Sequence, residues 1–117
     1  MKKNKRFQVR QGDVLVTVSD SIPQDCKPVK RDNGQVILAY GEVTGHCHAI
    51  AEPDVALMER EVAVGGKMLK ELFMRVDAPK GAKLTHQEHT TTTIPPGTYT
   101  VKRQREYARG EVRQILD

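Results

Sequence analysis

Short apolar runs, broken about every ten to fifteen residues by turn signals, continue along the whole chain. Gln11-Gly12-Asp13 reads as a turn leading into Val14-Leu15-Val16-Thr17-Val18, a β-branched run that predicts a strand buried on its Val14/Val16/Val18 face. Ser19 to Lys30, with Pro23 and Pro28, reads as a loop. Asp32-Asn33-Gly34 is a hairpin signal, because Asn-Gly supplies the positive φ values of a tight turn. Val36 to Tyr40 leaves that turn as a strand. Val55 to Val64 alternates weakly and ends at Gly65-Gly66. Lys67 to Val76 fits two periods: Met68, Leu69, Leu72, Phe73 and Val76 at helical spacing, or Leu72, Met74 and Val76 at strand spacing. Its β-rich neighbourhood favours the strand.

Beyond Pro95-Pro96-Gly97 comes the clearest alternation. Tyr99, Val101, Arg103, Arg105 and Tyr107 fall on one face of a strand, with Thr98, Thr100, Lys102, Gln104 and Glu106 on the other. Glu111 to Leu116 reads as at most a short helical turn. The expected fold is mainly β: one small barrel or sandwich with at most one or two short helices. Residues 7–117 form that single domain and residues 1–6 a basic, disordered tail.

Composition refines this picture. At 117 residues the chain fits one domain. It has no Trp, so Val, Leu, Ile and Met must build the core. No apolar run approaches the ~20 residues of a membrane span, and Met1 to Arg6 lacks the apolar stretch of a signal peptide. The expected location is cytoplasmic, with Cys26 and Cys47 as free thiols. The net charge of +4 comes from Lys2, Lys3, Lys5 and Arg6; the other 15 basic residues balance the 15 acidic ones. The chain is therefore not expected to bind DNA generically. A second basic concentration runs from Lys102 to Arg113.

The chemistry concentrates in two windows. All four histidines lie in Gly41-Glu42-Val43-Thr44-Gly45-His46-Cys47-His48 and in His86-Gln87-Glu88-His89. In a strand His46 and His48 share a face and Cys47 points away. In the second window an extended chain would put His86 and Glu88 together, whereas a helical turn would bring His86 to His89.

Two chemistries suit this set. Several imidazoles and a carboxylate are donors for zinc, iron, manganese or nickel, which makes His46, His48, His86 and His89 an alternative metal site, with Zn or Fe as its cofactor. Small cupin-like β-barrels present His-x-His in this way, but here the glutamate and the proline-glycine-x-x-histidine stretch of that pattern are missing. Alternatively, no cofactor is needed: imidazoles carry protons in the cleavage of an RNA-type phosphodiester, whose 2′-hydroxyl is the nucleophile. In that reading His46 or His48 is the base and His86 or His89 the acid. Arg103, Arg105, Tyr107 and Glu88 then contact the substrate. The plainer alternative makes these residues polar positions on a sheet of a non-enzymatic, phage or partner-binding protein.

The three segments Gly41–His48, Leu84–His89 and Pro96–Tyr107 together resemble a group of small bacterial and phage proteins. These share glycine-glutamate-x-threonine-glycine-histidine-x-histidine, then histidine-x-glutamate-histidine, then glutamine-arginine-glutamate-tyrosine. The similarity extends from about Gln11 to Tyr107, and it resembles that of a CRISPR-associated ring-nuclease family. The resemblance implies a small homodimer that degrades cyclic oligoadenylate messengers, with an anti-CRISPR role for versions carried by phages. No residue role is carried over from that family. It favours phosphodiester cleavage over a metal site, because a two-fold polyanionic ring suits a symmetric dimer groove.

Overall fold

The strongest local instructions lie in the turns. Asn33 and Gly34 have φ of 55° and 78°, and Gly65 and Gly66 of 57° and 83°. Both pairs supply the two positive φ values of a type I′ turn, whose twist matches that of paired strands. The first closes Asp32 onto Gln35, and the second joins two ten-residue strands.

The computed structural model describes residues 7–41, 45–103, 108–110 and 112–115. Its strands are β1 (Gln8–Gln11), β2 (Val14–Val18), β3 (Lys27–Pro28), β4 (Val36–Tyr40), β5 (Cys47–Ile50), β6 (Val55–Val64), β7 (Lys67–Val76), β8 (Ala82–His86), β9 (His89–Ile94), β10 (Gly97–Arg103), β11 (Ala108–Gly110) and β12 (Val112–Ile115). A six-stranded antiparallel sheet has the order β1-β2-β10-β7-β6-β3, and a four-stranded one the order β4-β5-β8-β9. β11 and β12 pair with each other. One core joins the two larger sheets: Val14, Val16, Leu57, Met74, Tyr99 and Val101 from the first meet Val36, Leu38, Ile50, Leu84 and Ile94 from the second. The sheets do not close into a barrel, so the expected barrel or sandwich is a sandwich.

Two β-bulges shape the smaller sheet. Ile37 pairs with Ala49 but Ala39 pairs with His48, so Leu38 is an extra residue in β4. Leu84 pairs with Thr92 but His86 pairs with His89, so Thr90 and Thr91 together oppose Thr85. Each bulge is gripped from the larger sheet. The Arg103 Nε–H donates to the Leu38 carbonyl at 2.8 Å. The Gln11 side-chain amide donates to the carbonyls of Leu84, at 2.8 Å, and Thr90, at 3.0 Å. Bulges bend a strand and re-aim its side chains, and here both lie on strands that flank the histidines.

Among the described residues there is no helix. Lys67–Val76 takes the favoured strand reading throughout, paired to β6 along its whole length. Other expectations need correcting. The turn read over residues 111–116 gives way to strand at Val112–Ile115, where pairing with β11 satisfies a backbone rich in β-branched residues. Gln8–Gln11 is an edge strand that its polar sequence did not announce, and Lys27–Pro28 adds a short one within the expected loop. The basic tail, Arg105 and Tyr107 lie outside the described residues. No helix among those described is long and apolar enough to cross a membrane.

Only the inner half of the β6–β7 hairpin joins the core. β7 pairs with β10 from Leu72 to Val76, and its outer half carries Met68 and Leu69 at 62% and 48% exposure. A groove of about 460 Å³ opens there, lined among others by Leu69, Phe73, Val101 and Arg103 and by no histidine. This division predicts unequal responses along one strand. Met74→Ala should cost about 2–5 kcal/mol in urea unfolding, because Met74 is fully buried. Met68→Ala should stay within about 0.5 kcal/mol of the parent protein.

Candidate active site

Strand register builds the site. Ala49 pairs with Thr85 and Ile50 with Leu84. Carried one residue further, that register sets His48 opposite His86. His86 is in turn paired with His89 across the β8–β9 hairpin. Directly opposed residues point to the same side of a sheet, so three histidines form a row across β5, β8 and β9. The ring centroids of His48 and His86 are 4.3 Å apart, and those of His86 and His89 are 4.6 Å apart. His46 precedes β5, held where its carbonyl accepts the Gly41 N–H at 2.8 Å. Its ring meets His86 edge-on at 5.8 Å. All four histidines therefore converge on one patch.

The second window does this in a way neither sequence reading foresaw. Gln87 and Glu88 form a two-residue turn, so His86 and His89 come together as a hairpin pair rather than on a helical turn. Glu88 swings back over the cluster, its Oε2 3.3 Å from His46 Nδ1. Gln87 Oε1 accepts the Cys47 N–H at 2.9 Å, fastening the turn to the start of β5. Cys47 is a half-exposed free thiol.

The floor of the site comes from residues read only as a turn. Gln11 pairs with Val14 around Gly12-Asp13, and Gly12 has φ of +60°, as the first position of a type II′ hairpin requires. Gly12 lies against two histidines: a Cβ there would sit 2.8 Å from His89 Nε2 and 3.2 Å from His48 Cε1. Asp13 Oδ1 is 3.6 Å from His48 Nε2. Among the described residues, Gln11 and His48 are the two buried polar side chains, each 3% exposed, and they bond to one another. Turn chemistry at Gly12-Asp13 was legible, but no local signal tied it to the histidines, which lie 33 or more residues away.

Hydrogen-bond partners fix where protons sit. A backbone N–H can only donate, and that of Glu88 lies 3.0 Å from His86 Nδ1. His86 Nδ1 is therefore an acceptor, and neutral His86 carries its proton on Nε2. Burial, with His89 and His46 nearby, lowers the His86 pKa below its ordinary value, outweighing the pull of Glu88 and Asp13. Glu88 Oε2 lies 3.3 Å from His46 Nδ1, so a carboxylate, which only accepts, stands beside that nitrogen. The patch thus mixes proton acceptors with a neutral N–H donor. Among the described residues no three His, Cys, Asp or Glu side chains are arranged to hold a metal ion. A His86 that keeps Nε2–H has no lone pair there for one.

Of the residues expected to bind substrate, Glu88 belongs to the cluster. Arg103 leaves β10 and grips the β4 bulge beside the residue that pairs with His48. Arg105 and Tyr107 lie outside the described residues.

The depressed His86 pKa has a signed consequence. The unfolded chain, with an ordinary histidine, binds the proton first as pH falls, so this group's contribution to stability is complete above about 6.5 and declines below it. The denaturation midpoint should therefore drop on acidification through that range, and His86→Gln should flatten the drop. Proton NMR should show His86 titrating below about 6.5.

No curated protein and no solved structure matches the chain. One family model, described as a domain of unknown function (DUF8820), matches residues 10–104. That span takes in Gln11, Asp13, all four histidines, Glu88 and Arg103, and the chain belongs to this DUF8820 family.

Proposed function

We propose that this patch is a metal-independent acid–base centre that cleaves RNA-type phosphodiesters, with the ribose 2′-hydroxyl as nucleophile. One observation carries the reading: His46 and His86, edge-on at 5.8 Å, have unlike partners, a carboxylate beside Nδ1 of the first and a backbone N–H on Nδ1 of the second. A transesterification needs such a division, a lone pair for the attacking hydroxyl and an N–H for the oxygens that gain charge.

His46 Nε2 takes the 2′-hydroxyl proton while Glu88, on Nδ1, steadies the imidazolium that forms. The 2′ oxygen bonds to phosphorus and the P–O5′ bond breaks, leaving a 2′,3′-cyclic phosphate. His86 Nε2–H donates to a non-bridging oxygen of the pentacovalent intermediate. His89, exposed at the hairpin end, protonates the departing 5′ oxygen. His48 packs against His86 and His89. Arg103 or Arg105 steers the phosphate, a role that bidentate guanidinium suits.

The substrate class follows from the resemblance described above. A cyclic oligoadenylate is anionic, built of ribose linkages and two-fold symmetric, and would be met by a homodimer in the cytoplasm. An anti-CRISPR role for a phage-borne copy accords with the same chemistry.

Purified protein should cleave cyclic oligoadenylates in EDTA and leave 2′-deoxy analogues intact. His46→Ala and His86→Ala should each lose about 10²–10⁴-fold in rate. Stoichiometric zinc or iron, with activity lost to chelator, would replace this proposal by the metal site. A double His46/His86 variant with every function intact would make the protein a non-enzymatic binder.

A further inference from the structure

Gln11 stands apart from the chemistry just assigned, yet it is the most constrained side chain in the patch. Its amide nitrogen faces two backbone carbonyls, of Leu84 at 2.8 Å and Thr90 at 3.0 Å. Carbonyl oxygens only accept, so the NH₂ group must lie on that side and the amide cannot be flipped. Its oxygen is then the atom 2.7 Å from His48 Nδ1. An amide oxygen only accepts, so His48 Nδ1 must donate. Two carbonyls in one pair of strands thereby dictate a proton position in another.

We infer that Gln11 is a positioning residue: it holds His48 in the Nδ1–H tautomer and makes Nε2, beside Asp13, the atom at which this buried ring takes up a proton. Asp13 Oδ1, 3.6 Å from Nε2, is placed to balance that proton. The rings of His86 and His89 lie 4.3 and 5.8 Å away, so a proton gained there is felt across the row. Gln11, His48 and Asp13 thus form a chain of orienter, imidazole and carboxylate, with both ends drawn from one hairpin. In the triad of the serine proteases the carboxylate sits on Nδ1; here a neutral amide does, and the carboxylate is at Nε2. The proposal goes beyond phosphodiester cleavage, since it holds for any chemistry the row performs.

The test is spectroscopic and needs no substrate. In protein labelled with ¹⁵N-histidine, two-bond proton–nitrogen correlation at alkaline pH distinguishes the two neutral tautomers. His48 is assigned by elimination, from the signals that persist in His46→Gln, His86→Gln and His89→Gln variants. The expected pattern is Nδ1–H for His48 and Nε2–H for His86. An Nε2–H pattern at His48 would overturn the proposal, whatever the activity. Two variants separate tautomer control from simple loss of structure. Gln11→Glu and Gln11→Met both lose the donors to Leu84 and Thr90, but only the carboxylate can still accept from Nδ1. His48 should therefore remain Nδ1–H in Gln11→Glu and be released in Gln11→Met. If the released form never appears in a folded Gln11→Met protein, Gln11 is not the cause. If either variant fails to fold, the parent spectrum alone decides the tautomer. A correct tautomer without RNA cleavage would leave this proposal standing and remove the phosphodiesterase reading.

Discussion

The Gln11 amide is the contact on which both sheets and the site depend. It lies 3% exposed between β1 of one sheet and β8–β9 of the other, spending its two N–H groups on carbonyls and its oxygen on a histidine. Apolar packing alone would let two sheets slide, because burial is indifferent to direction. Hydrogen bonds are not. A buried amide with three satisfied bonds fixes the offset between the sheets, since any slip would strand polar groups away from water. Arg103 on the Leu38 carbonyl is the counterpart at β4. In each case an irregular strand in the small sheet offers a carbonyl, and a polar side chain from the large sheet takes it.

Crowding four imidazoles into one patch sets a second constraint. Four positive charges at these separations would repel strongly, and burial strengthens that repulsion. The fold meets this by assigning protons rather than leaving them to chance. A backbone N–H on His86 Nδ1 favours its neutral form, Glu88 sits on His46, and Gln11 and Asp13 bracket His48. The result is a row of rings with different partners, and it is this inequality that makes acid–base chemistry conceivable there.

Much of this was written openly in the sequence. Period-two runs and turn residues identified a mainly β domain, and the confinement of every histidine to two windows pointed to the patch where the four rings meet. Three things were hidden. Met68, Leu69, Leu72 and Phe73 imitate a helical stripe because the outer half of β7 leaves the core, so exposure there follows the sheet's extent rather than its period. Bulges leave no local signature, yet they decide which carbonyls are offered to Gln11 and Arg103. Gln11 itself looks like any polar residue before a turn, and only the packing of β1 against β9 gives it a meaning. The residues missed are those whose role is defined by a distant partner.

The bulge at Leu38 has a consequence for how this fold can vary. Alternation gives every strand a parity, and one extra residue switches it. Leu38 and Ala39 are thus buried in succession, at 0% and 1% exposure, and β4 meets β5 in a different phase on either side of them. Removing one residue there would restore a uniform ladder and turn half of β4 inside out. The Gly65-Gly66 tip stands outside any such bookkeeping, since both arms of that hairpin are already clear of the core. Length should therefore be freely exchanged at the hairpin tip and strictly counted along β4 and β9, where a single codon gained or lost would put one half of the strand out of phase with its neighbour.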